Sequence, residues 1–335
     1  MKKELILIGK PLPPLPEEGA DTKNPDWKAA DLEKINRSFR VVQNKPTGGW
    51  YVLGSKRTLR NGKEQTLHYI EAKEILLVRF QDRFYALSNL CPHMGAPLSI
   101  GNFDGSKIRC AWHGLTLDCC SPHIKNHLSV YDDGFLIWVC IPGKEALTER
   151  PFLPQRPEDG IDAVYQKVLR CSPSHVILNR LDPWHGAHFH PHTFARLKVY
   201  YESEEEIRLR VAYRVWKRFC VEVDARFHCP DARTIVMTIL EGDGAGSVVE
   251  THATPIAPGY TLLTELTLAT SDRKGFRFAR NLSPLLRPFI QRAAGRLWRE
   301  DSAYAERRYY LEEGMPYSLV RERKDRMPVG QVTKE

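Results

Sequence analysis

The sequence has no apolar run long enough to cross a membrane. Its 335 residues are 42% hydrophobic and 27% charged, but no stretch approaches the roughly 18 consecutive apolar residues of a membrane-spanning helix. Near the N-terminus only Leu5 to Ile8 form an apolar run, which is too short for the core of a secretory signal peptide. We therefore expect a cytoplasmic protein, with peripheral contact to a membrane as an alternative.

Cysteine is too sparse for a disulfide framework, and the glycines form no nucleotide-binding fingerprint. Eight cysteines in a chain of this length exclude the class of small secreted domains that depend on disulfides. The absence of a glycine-rich phosphate loop excludes a dinucleotide site of that type. Six cysteines are expected to be buried or half-buried free thiols: Cys119, Cys120, Cys140, Cys171, Cys220 and Cys229.

Acidic residues are outnumbered by basic ones, which gives a formal net charge of +8. Such an excess favours an acidic partner: nucleic acid, an anionic membrane surface or an acidic redox protein. Ten basic residues and three acidic ones lie between Arg273 and Arg308, together with apolar residues at helical spacing. This segment predicts a cationic amphipathic surface. We expect no nucleic acid, since such binding needs aromatic residues interleaved along a basic stripe.

Two segments each combine one cysteine with one histidine, Cys91-x-His93 and Cys110-x-x-His113. Two thiolates and two imidazoles from separate loops are the ligands of a Rieske [2Fe–2S] cluster, in which the cysteines hold one iron and the histidines hold the other. Zinc could use the same four residues, but zinc sites usually place their cysteines together and their histidines together. Nearby Gly95, Pro97 and Gly114 would let the backbone bend around the cluster and aim N–H groups at sulfur.

The chain resembles Rieske proteins over this stretch, and two positions indicate the branch. Respiratory-chain Rieske proteins carry an extra, disulfide-forming cysteine in each loop, at positions occupied here by Ala96 and Trp112. The resemblance is therefore to the ferredoxin-like branch, which includes the ring-hydroxylating oxygenases.

A second ligand-rich segment runs from Asn179 to His190. It places one carboxylate and three imidazoles directly after three apolar residues, which indicates a metal site in a protein interior. Terminal oxygenase components of the Rieske family read Asn-x-x-Asp-x-x-His-x-x-x-x-His at this point, and this sequence is similar at Asn179, Asp182, His185 and His190.

The resemblance implies a mononuclear Fe(II) held by two histidines and one distal carboxylate, with positions open for O2. His185 and His190 are the predicted imidazole ligands, although helix spacing alone would favour His188 over His190. Asp301 is the predicted carboxylate and Glu300 the alternative. Adjacent helix residues point about 100° apart, so only one of the two is expected to face inward.

Asp182 and Asn179 are the predicted catalytic residues outside the ligand sets. By resemblance, Asp182 hydrogen-bonds an iron ligand and a cluster ligand of a neighbouring subunit, and so orients His185 and bridges the two centres. Asp182 could at the same time cap the helix before Pro183. The bridge requires subunits arranged head to tail, most simply a homotrimer.

The coarse pattern predicts two domains joined by a Pro- and charge-rich linker. The predicted fold class is α+β: an all-β Rieske [2Fe–2S] domain followed by a helix-grip catalytic domain, in which an antiparallel sheet packs on a long C-terminal helix from Ser283 to Glu313. The predicted parts are an N-terminal arm (1–44) with a short helix around Asp31 to Arg37, the Rieske domain (45–150), the catalytic domain (151–315) and a C-terminal tail (316–335).

Together these features predict a terminal oxygenase. Electrons would come from a reductase or ferredoxin and pass through the [2Fe–2S] cluster to mononuclear Fe(II), where O2 is used to hydroxylate, demethylate or desaturate a small organic substrate, lipophilic or aromatic. NAD(P)H would be oxidised by a separate reductase, since the chain lacks a nucleotide fingerprint. The alternative is a Rieske electron carrier fused to a ligand-binding domain that does not catalyse.

Overall fold

A computed structural model describes residues 5–15, 32–121 and 126–315. The chain divides into two compact units. The first comprises Met1–Pro46, Phe152–Ala253 and Leu263–Arg308, and the second comprises Thr47–Pro151, Thr254–Leu262 and Tyr309–Glu335. The predicted C-terminal tail, and the Pro16-Glu17-Glu18 part of the predicted arm, lie outside the described residues.

The elements follow one another along the chain in three groups. The N-terminal group is β1 (Ile6–Leu7) and α1 (Leu32–Gln43). The next group carries the two Cys–His segments and consists of β2 (Trp50–Ser55), α2 (Lys56–Asn61), β3 (Gln65–Ile70), β4 (Lys73–Phe80), β5 (Arg83–Ser88), β6 (Asn102–Phe103), β7 (Lys107–Arg109), β8 (Thr116–Asp118), β9 (His127–Leu128), β10 (Val130–Asp132) and β11 (Leu136–Cys140). The last group consists of β12 (Ile161–Leu169), α3 (Pro173–Arg180), α4 (His185–Phe189), β13 (Phe194–Glu202), β14 (Glu206–Trp216), β15 (Phe219–Asp231), β16 (Thr234–Gly242), β17 (Val248–Ala257), β18 (Tyr260–Ala269), α5 (Phe276–Asn281) and α6 (Ser283–Glu312).

The second unit contains three small sheets, ordered β10-β11-β2, β3-β4-β5-β9 and β6-β7-β8. The central strand β4 is buried on both faces: Ile75 and Leu77 belong to one apolar cluster, and Leu76 and Val78 to another. The second of these clusters also contains Cys91 and Cys110. The cysteines of the two motifs are therefore anchored in the hydrophobic core.

Two tight hairpins in this unit have turns that the residue types do not predict. The pairs Glu71-Ala72 and Gln81-Asp82 lie between β3, β4 and β5, and all four residues have positive φ. Two-residue hairpin turns of this conformation usually contain glycine or asparagine. Asn61-Gly62, a dipeptide typical of turns between strands, instead ends helix α2.

The first unit is built on one large sheet with the strand order β12-β18-β17-β16-β15-β14-β13, with β1 added in parallel to β15. Strands β13 to β17 pair antiparallel to their neighbours. Buried apolar side chains of the sheet pack with Val42 of α1 and with Ile177 and Leu181 of the α3 region, and each such burial stabilises the fold by about 1.5–3 kcal/mol. The predicted α+β class is confirmed, and α1 extends six residues beyond its predicted end at Arg37.

Helix α6 packs along β12. Arg287 forms an ion pair with Asp162 at 2.6 Å, and the Gln291 side chain donates a hydrogen bond to the Val164 carbonyl at 2.9 Å. Within α6, a Cβ added at Gly295 would lie 2.9 Å from the ring of Tyr165, so only glycine allows this close approach. Among the described residues, no helix has both the length and the hydropathy needed to cross a bilayer.

Candidate metal centres

The two Cys–His segments form loops with the same backbone hydrogen bonds. In the first loop the Cys91 N–H donates to the Ala96 carbonyl, and the Gly95 N–H donates to the Cys91 carbonyl, both at 2.8 Å. In the second, the Cys110 N–H donates to Leu115 at 2.8 Å and the Gly114 N–H to Cys110 at 3.0 Å. Gly95 and Gly114 have φ values of 75° and 72°, a left-handed conformation that favours glycine.

The four candidate ligands of these loops differ in exposure. Cys91 and Cys110 are buried, whereas His93 and His113 are exposed. The imidazole rings lie 4.8 Å apart between centroids and are nearly perpendicular. The sulfur atoms therefore lie in the core and the imidazoles at the surface.

The donor set of the loops fits a Rieske cluster. The pKa of the Cys110 thiol is lowered, first by the backbone N–H of Trp112 and also by that of His113. Amide donors of this kind stabilise a thiolate, which is the form that binds iron. The other six cysteines are free thiols as predicted, with Cys120 half-buried and the rest buried.

The second ligand set comes from α4, the residue that follows it, and α6. His185 is the first residue of α4, and His190 follows the end of this short helix, with φ −119° and ψ 51°. This non-helical conformation directs the His190 side chain inward, whereas His188 is exposed. The structure brings together His185, His190 and Asp301, whose ligand atoms all lie within 4.8 Å of one another.

Asp301 is the common contact of both histidines. Its Oδ1 lies 3.2 Å from His185 Nε2 and 2.7 Å from His190 Nε2, and Asp301 is only 2% exposed. Burial alone would raise the pKa of Asp301, but hydrogen bonds from the two histidines and the charge of Arg180 outweigh it and hold that pKa below its usual range. The carboxylate is therefore ionised and suited to bind a cation.

Glu300 also faces this cluster, so the expectation that only one of the two adjacent carboxylates would point inward is wrong. Glu300 Oε2 lies 2.5 Å from His190 Nδ1, while Asp301 contacts Nε2 of the same ring. Burial would lower the pKa of His190, but its contacts with both carboxylates raise it. Glu300 can bond Nδ1 because His190 lies outside the helix and presents both ring nitrogens to α6.

His185 is held by the backbone of Asp182 and by the ring of Tyr304. Its Nδ1 donates to the Asp182 carbonyl oxygen, whereas the Asp182 carboxylate is 3.8 Å away from that nitrogen. The Tyr304 ring stacks on His185 at 5.3 Å between centroids, and its hydroxyl donates to Asp182 Oδ2 at 3.1 Å. Burial raises the pKa of Tyr304 to about 12, and the charge of Asp182 adds to this effect.

Both imidazoles thus have Nδ1 fixed by a hydrogen bond and Nε2 directed at Asp301. This is the arrangement of histidine ligands whose second nitrogen is held by an oxygen acceptor, and the donor set of two imidazoles and one carboxylate fits Fe(II). The contact of Glu300 with His190 Nδ1 and the stacking of Tyr304 on His185 were not predicted from the sequence. Their spacing from Asp301 along one helix was the available signal.

The two remaining predicted residues leave buried oxygen atoms without partners. Asn179 donates to Asp301 Oδ1 at 3.4 Å, while its own Oδ1 has no hydrogen-bond partner among the described residues. Asp182 Oδ1 is likewise buried without a partner there. The additional helix-capping role predicted for Asp182 is wrong, because α4 is preceded by Trp184 and has no side-chain cap.

The fold matches that of Rieske oxygenase alpha subunits, and His185, His190 and Asp301 form a group that could hold a metal ion. A family model for the Rieske [2Fe-2S] domain matches residues 49–129. The family described as "Domain of unknown function (DUF5914)" matches residues 142–315, just over half of the chain. The chain belongs to this family.

Known proteins support the same architecture. A solved structure of dicamba monooxygenase bound to dicamba matches with a TM-score of 0.60 and 18% identity, covering 84% of this chain and 92% of that one. The oxygenase and ferredoxin complex of carbazole 1,9a-dioxygenase matches with a TM-score of 0.57 and 12% identity, covering 88% and 90%. The oxygenase subunit of vanillate O-demethylase from Pseudomonas sp. (strain ATCC 19151) is 36% identical over 85 residues. That match spans 22% of this chain and only 25% of the relative.

Proposed function

We propose that the protein is the terminal oxygenase of a Rieske non-haem iron system acting on a small lipophilic or aromatic compound. The observation that carries the proposal is the convergence of His185, His190 and Asp301 with both Nε2 atoms directed at one carboxylate oxygen. When bound, a [2Fe–2S] cluster would supply single electrons and a mononuclear Fe(II) would activate O2.

The residues of this chain have separate tasks in the proposal. Cys91, Cys110, His93 and His113 would hold the cluster, and His185, His190 and Asp301 the mononuclear iron. Asp182 would accept a hydrogen bond from a cluster-ligating histidine of a neighbouring subunit. Asp182 Oδ1 has no hydrogen-bond partner among the described residues, which supports this role. The role in turn implies a head-to-tail ring, most simply a homotrimer.

The exposed histidines and their apolar surroundings support an electron-transfer contact. His93 and His113 are exposed beside Met94, Trp112 and Leu115, which are 64%, 56% and 38% exposed. Exposed apolar residues around a redox centre are suited to a partner surface. A ferredoxin or reductase is the proposed electron donor, as in the carbazole system whose oxygenase was solved with ferredoxin.

The substrate class rests on the named compounds of the matching proteins. Dicamba, carbazole and vanillate are the compounds in those names. We propose a small organic molecule of comparable size, with hydroxylation, demethylation and desaturation as the candidate reactions.

Iron analysis of matched variants tests the proposal. His185→Ala should lose the mononuclear iron and O2-dependent turnover of a reduced sample, while it keeps the visible absorption of the cluster. The control is His188→Ala, which changes an exposed histidine of the same helix. It should keep the mononuclear iron, the turnover and the cluster absorption. Loss of the cluster absorption in His185→Ala would contradict the assignment of two independent metal sites.

A further inference from the structure

Four apolar side chains form an exposed row on α5 and α6, which we call the outer stripe: Phe278, Leu282, Leu285 and Phe289. They are 69%, 37%, 65% and 66% exposed. The hydrogen bonds from Leu282 N–H to the Phe278 carbonyl and from Leu286 N–H to the Leu282 carbonyl continue the helical pattern between the two helices. The stripe therefore follows one side of two successive helices, which meet at the non-helical Leu282 (φ −90°, ψ 11°), over about 16 Å.

The opposite side of α6 is the one that packs on the fold. Arg287 and Gln291 contact β12, and Trp298 is fully buried. Two residues along a helix rotate the side chain by about 200°, so Leu285 and Phe289 point away from the side defined by Arg287 and Gln291. The outer stripe is thus a second apolar side that the described part of the chain leaves uncovered.

Unpaired cations accompany the outer stripe. Three basic residues of this segment are neutralised by carboxylates, since Arg273, Arg280 and Arg287 pair with Asp243, Asp159 and Asp162. The sequence therefore overestimates the free charge of this surface. Five exposed basic residues have no carboxylate partner among the described residues: Lys274, Arg277, Arg292, Arg296 and Arg299.

The positions of these cations extend the stripe. Arg292 and Arg296 lie on the same side of α6 in the next two turns, because they follow Leu285 and Phe289 by seven residues each. The Arg292 guanidinium lies 5.9 Å from the centre of the Phe289 ring. Apolar residues on one side of a helix, with arginines beside them, are typical of helices that lie in a membrane interface.

We propose that the outer stripe and its unpaired arginines rest on the surface of an anionic lipid bilayer. A second copy of the same surface is a poor occupant, because it would bring like charges together. A single row on a convex helix also has no groove to receive a protein side chain, whereas a lipid surface requires none. This inference does not depend on the proposed oxygenase activity.

Vesicle sedimentation of the full-length, metal-loaded protein tests the inference. We expect binding to phosphatidylcholine vesicles that contain phosphatidylglycerol, weaker binding to pure phosphatidylcholine, and release by high salt. Combining Phe278→Ser, Leu285→Ser and Phe289→Ser should abolish binding. The matched control is Val215→Ser with Trp216→Ser, an exposed apolar pair elsewhere in the same unit, which should bind as the unmodified protein does.

A charge variant tests the electrostatic part separately. Arg277→Gln, Arg292→Gln and Arg296→Gln together should weaken vesicle binding about 100-fold, at about fivefold for each arginine. The control with the same change in net charge is Lys63→Gln, Lys73→Gln and Lys107→Gln, all exposed in the second unit, and it should bind nearly normally. Circular dichroism and the mononuclear iron content, which depends on Asp301 of α6, verify folding of the α5 and α6 variants, and the cluster absorption verifies folding of the lysine control.

Three results would overturn the inference. The first is no preference for anionic vesicles, and the second is equal loss of binding in the control variants. The third is an absence of vesicle binding while the variants change the oligomer size or weaken the affinity for an acidic ferredoxin, which would assign the surface to a protein contact.

Discussion

His190 is contacted by a carboxylate at each ring nitrogen, and these two carboxylates are neighbours in the sequence. Glu300 bonds Nδ1 at 2.5 Å and Asp301 contacts Nε2 at 2.7 Å. Removing an oxygen acceptor behind a metal-binding histidine usually weakens metal affinity about 10–100-fold. We therefore predict that Glu300→Ala raises the Kd for Fe(II) or Co(II) by that factor, as measured by anaerobic titration. Glu312→Ala, an exposed position of the same helix, should not change the Kd, and equal affinities of the two variants would refute the positioning role of Glu300.

Asp182 and Tyr304 permit a prediction that separates iron binding from electron transfer. Asp182 contacts His185 through its backbone carbonyl, so Asp182→Asn should retain near-normal iron content. Its carboxylate accepts the Tyr304 hydroxyl and has one oxygen without a partner among the described residues. We expect Asp182→Asn to slow oxidation of the reduced cluster in a single turnover about tenfold or more. Tyr304→Phe keeps the ring on His185 and should have a smaller effect, and a normal rate in Asp182→Asn would eliminate the proposed bridge.

Among the secondary-structure elements, β3 carries a titratable group that makes stability depend on pH. Burial lowers the pKa of His68 to about 4, so the folded state keeps this ring neutral while the unfolded chain takes up a proton below its ordinary pKa of 6.5. The stabilisation is complete above that value and is lost as the pH falls toward 4. Between pH 8 and pH 5.5 the free energy of unfolding should fall by about 1.4 kcal/mol from this residue. Urea unfolding at several pH values in this range measures the decrease, and His68→Leu should reduce it by that amount. The same decrease in His68→Leu and in the unmodified protein would contradict the assignment.

The elements also show which parts of the fold are readable from sequence. The ligand loops and α6 were predictable because spacing and helical periodicity are local. The β3–β4 and β4–β5 hairpins were not, because Glu71-Ala72 and Gln81-Asp82 adopt positive φ without glycine. The sequence overestimates the free positive charge beside the outer stripe for another reason. The carboxylates that neutralise Arg280 and Arg287 come from residues that are distant in the sequence. The contact between His190 Nδ1 and Glu300 depends on the end of α4 just before His190. Sequence periodicity does not locate a helix end to within one residue.

For the whole molecule, the proposed bridge by Asp182 makes activity a property of the assembly. The acceptor for electrons and the donor cluster would belong to neighbouring subunits, so dilution below the dissociation constant of the ring should reduce turnover more than iron content. Sedimentation velocity with parallel activity measurements checks this expectation. A fully active monomer would be incompatible with it.

The division of the chain into two interleaved units has a consequence for biosynthesis. All four candidate cluster ligands lie within Thr47–Pro151, the main stretch of the second unit, which contains the residues matched by the Rieske domain model and precedes the unit's later parts, Thr254–Leu262 and the residues from Tyr309. The other unit contains α1, the large sheet and the helix that carries Asp301. It can therefore complete its fold only after that helix has been translated. Because domains generally fold in the order in which they emerge, the cluster site should be ready for its metal while the mononuclear site still lacks its carboxylate. Cofactor insertion would then follow the order of translation.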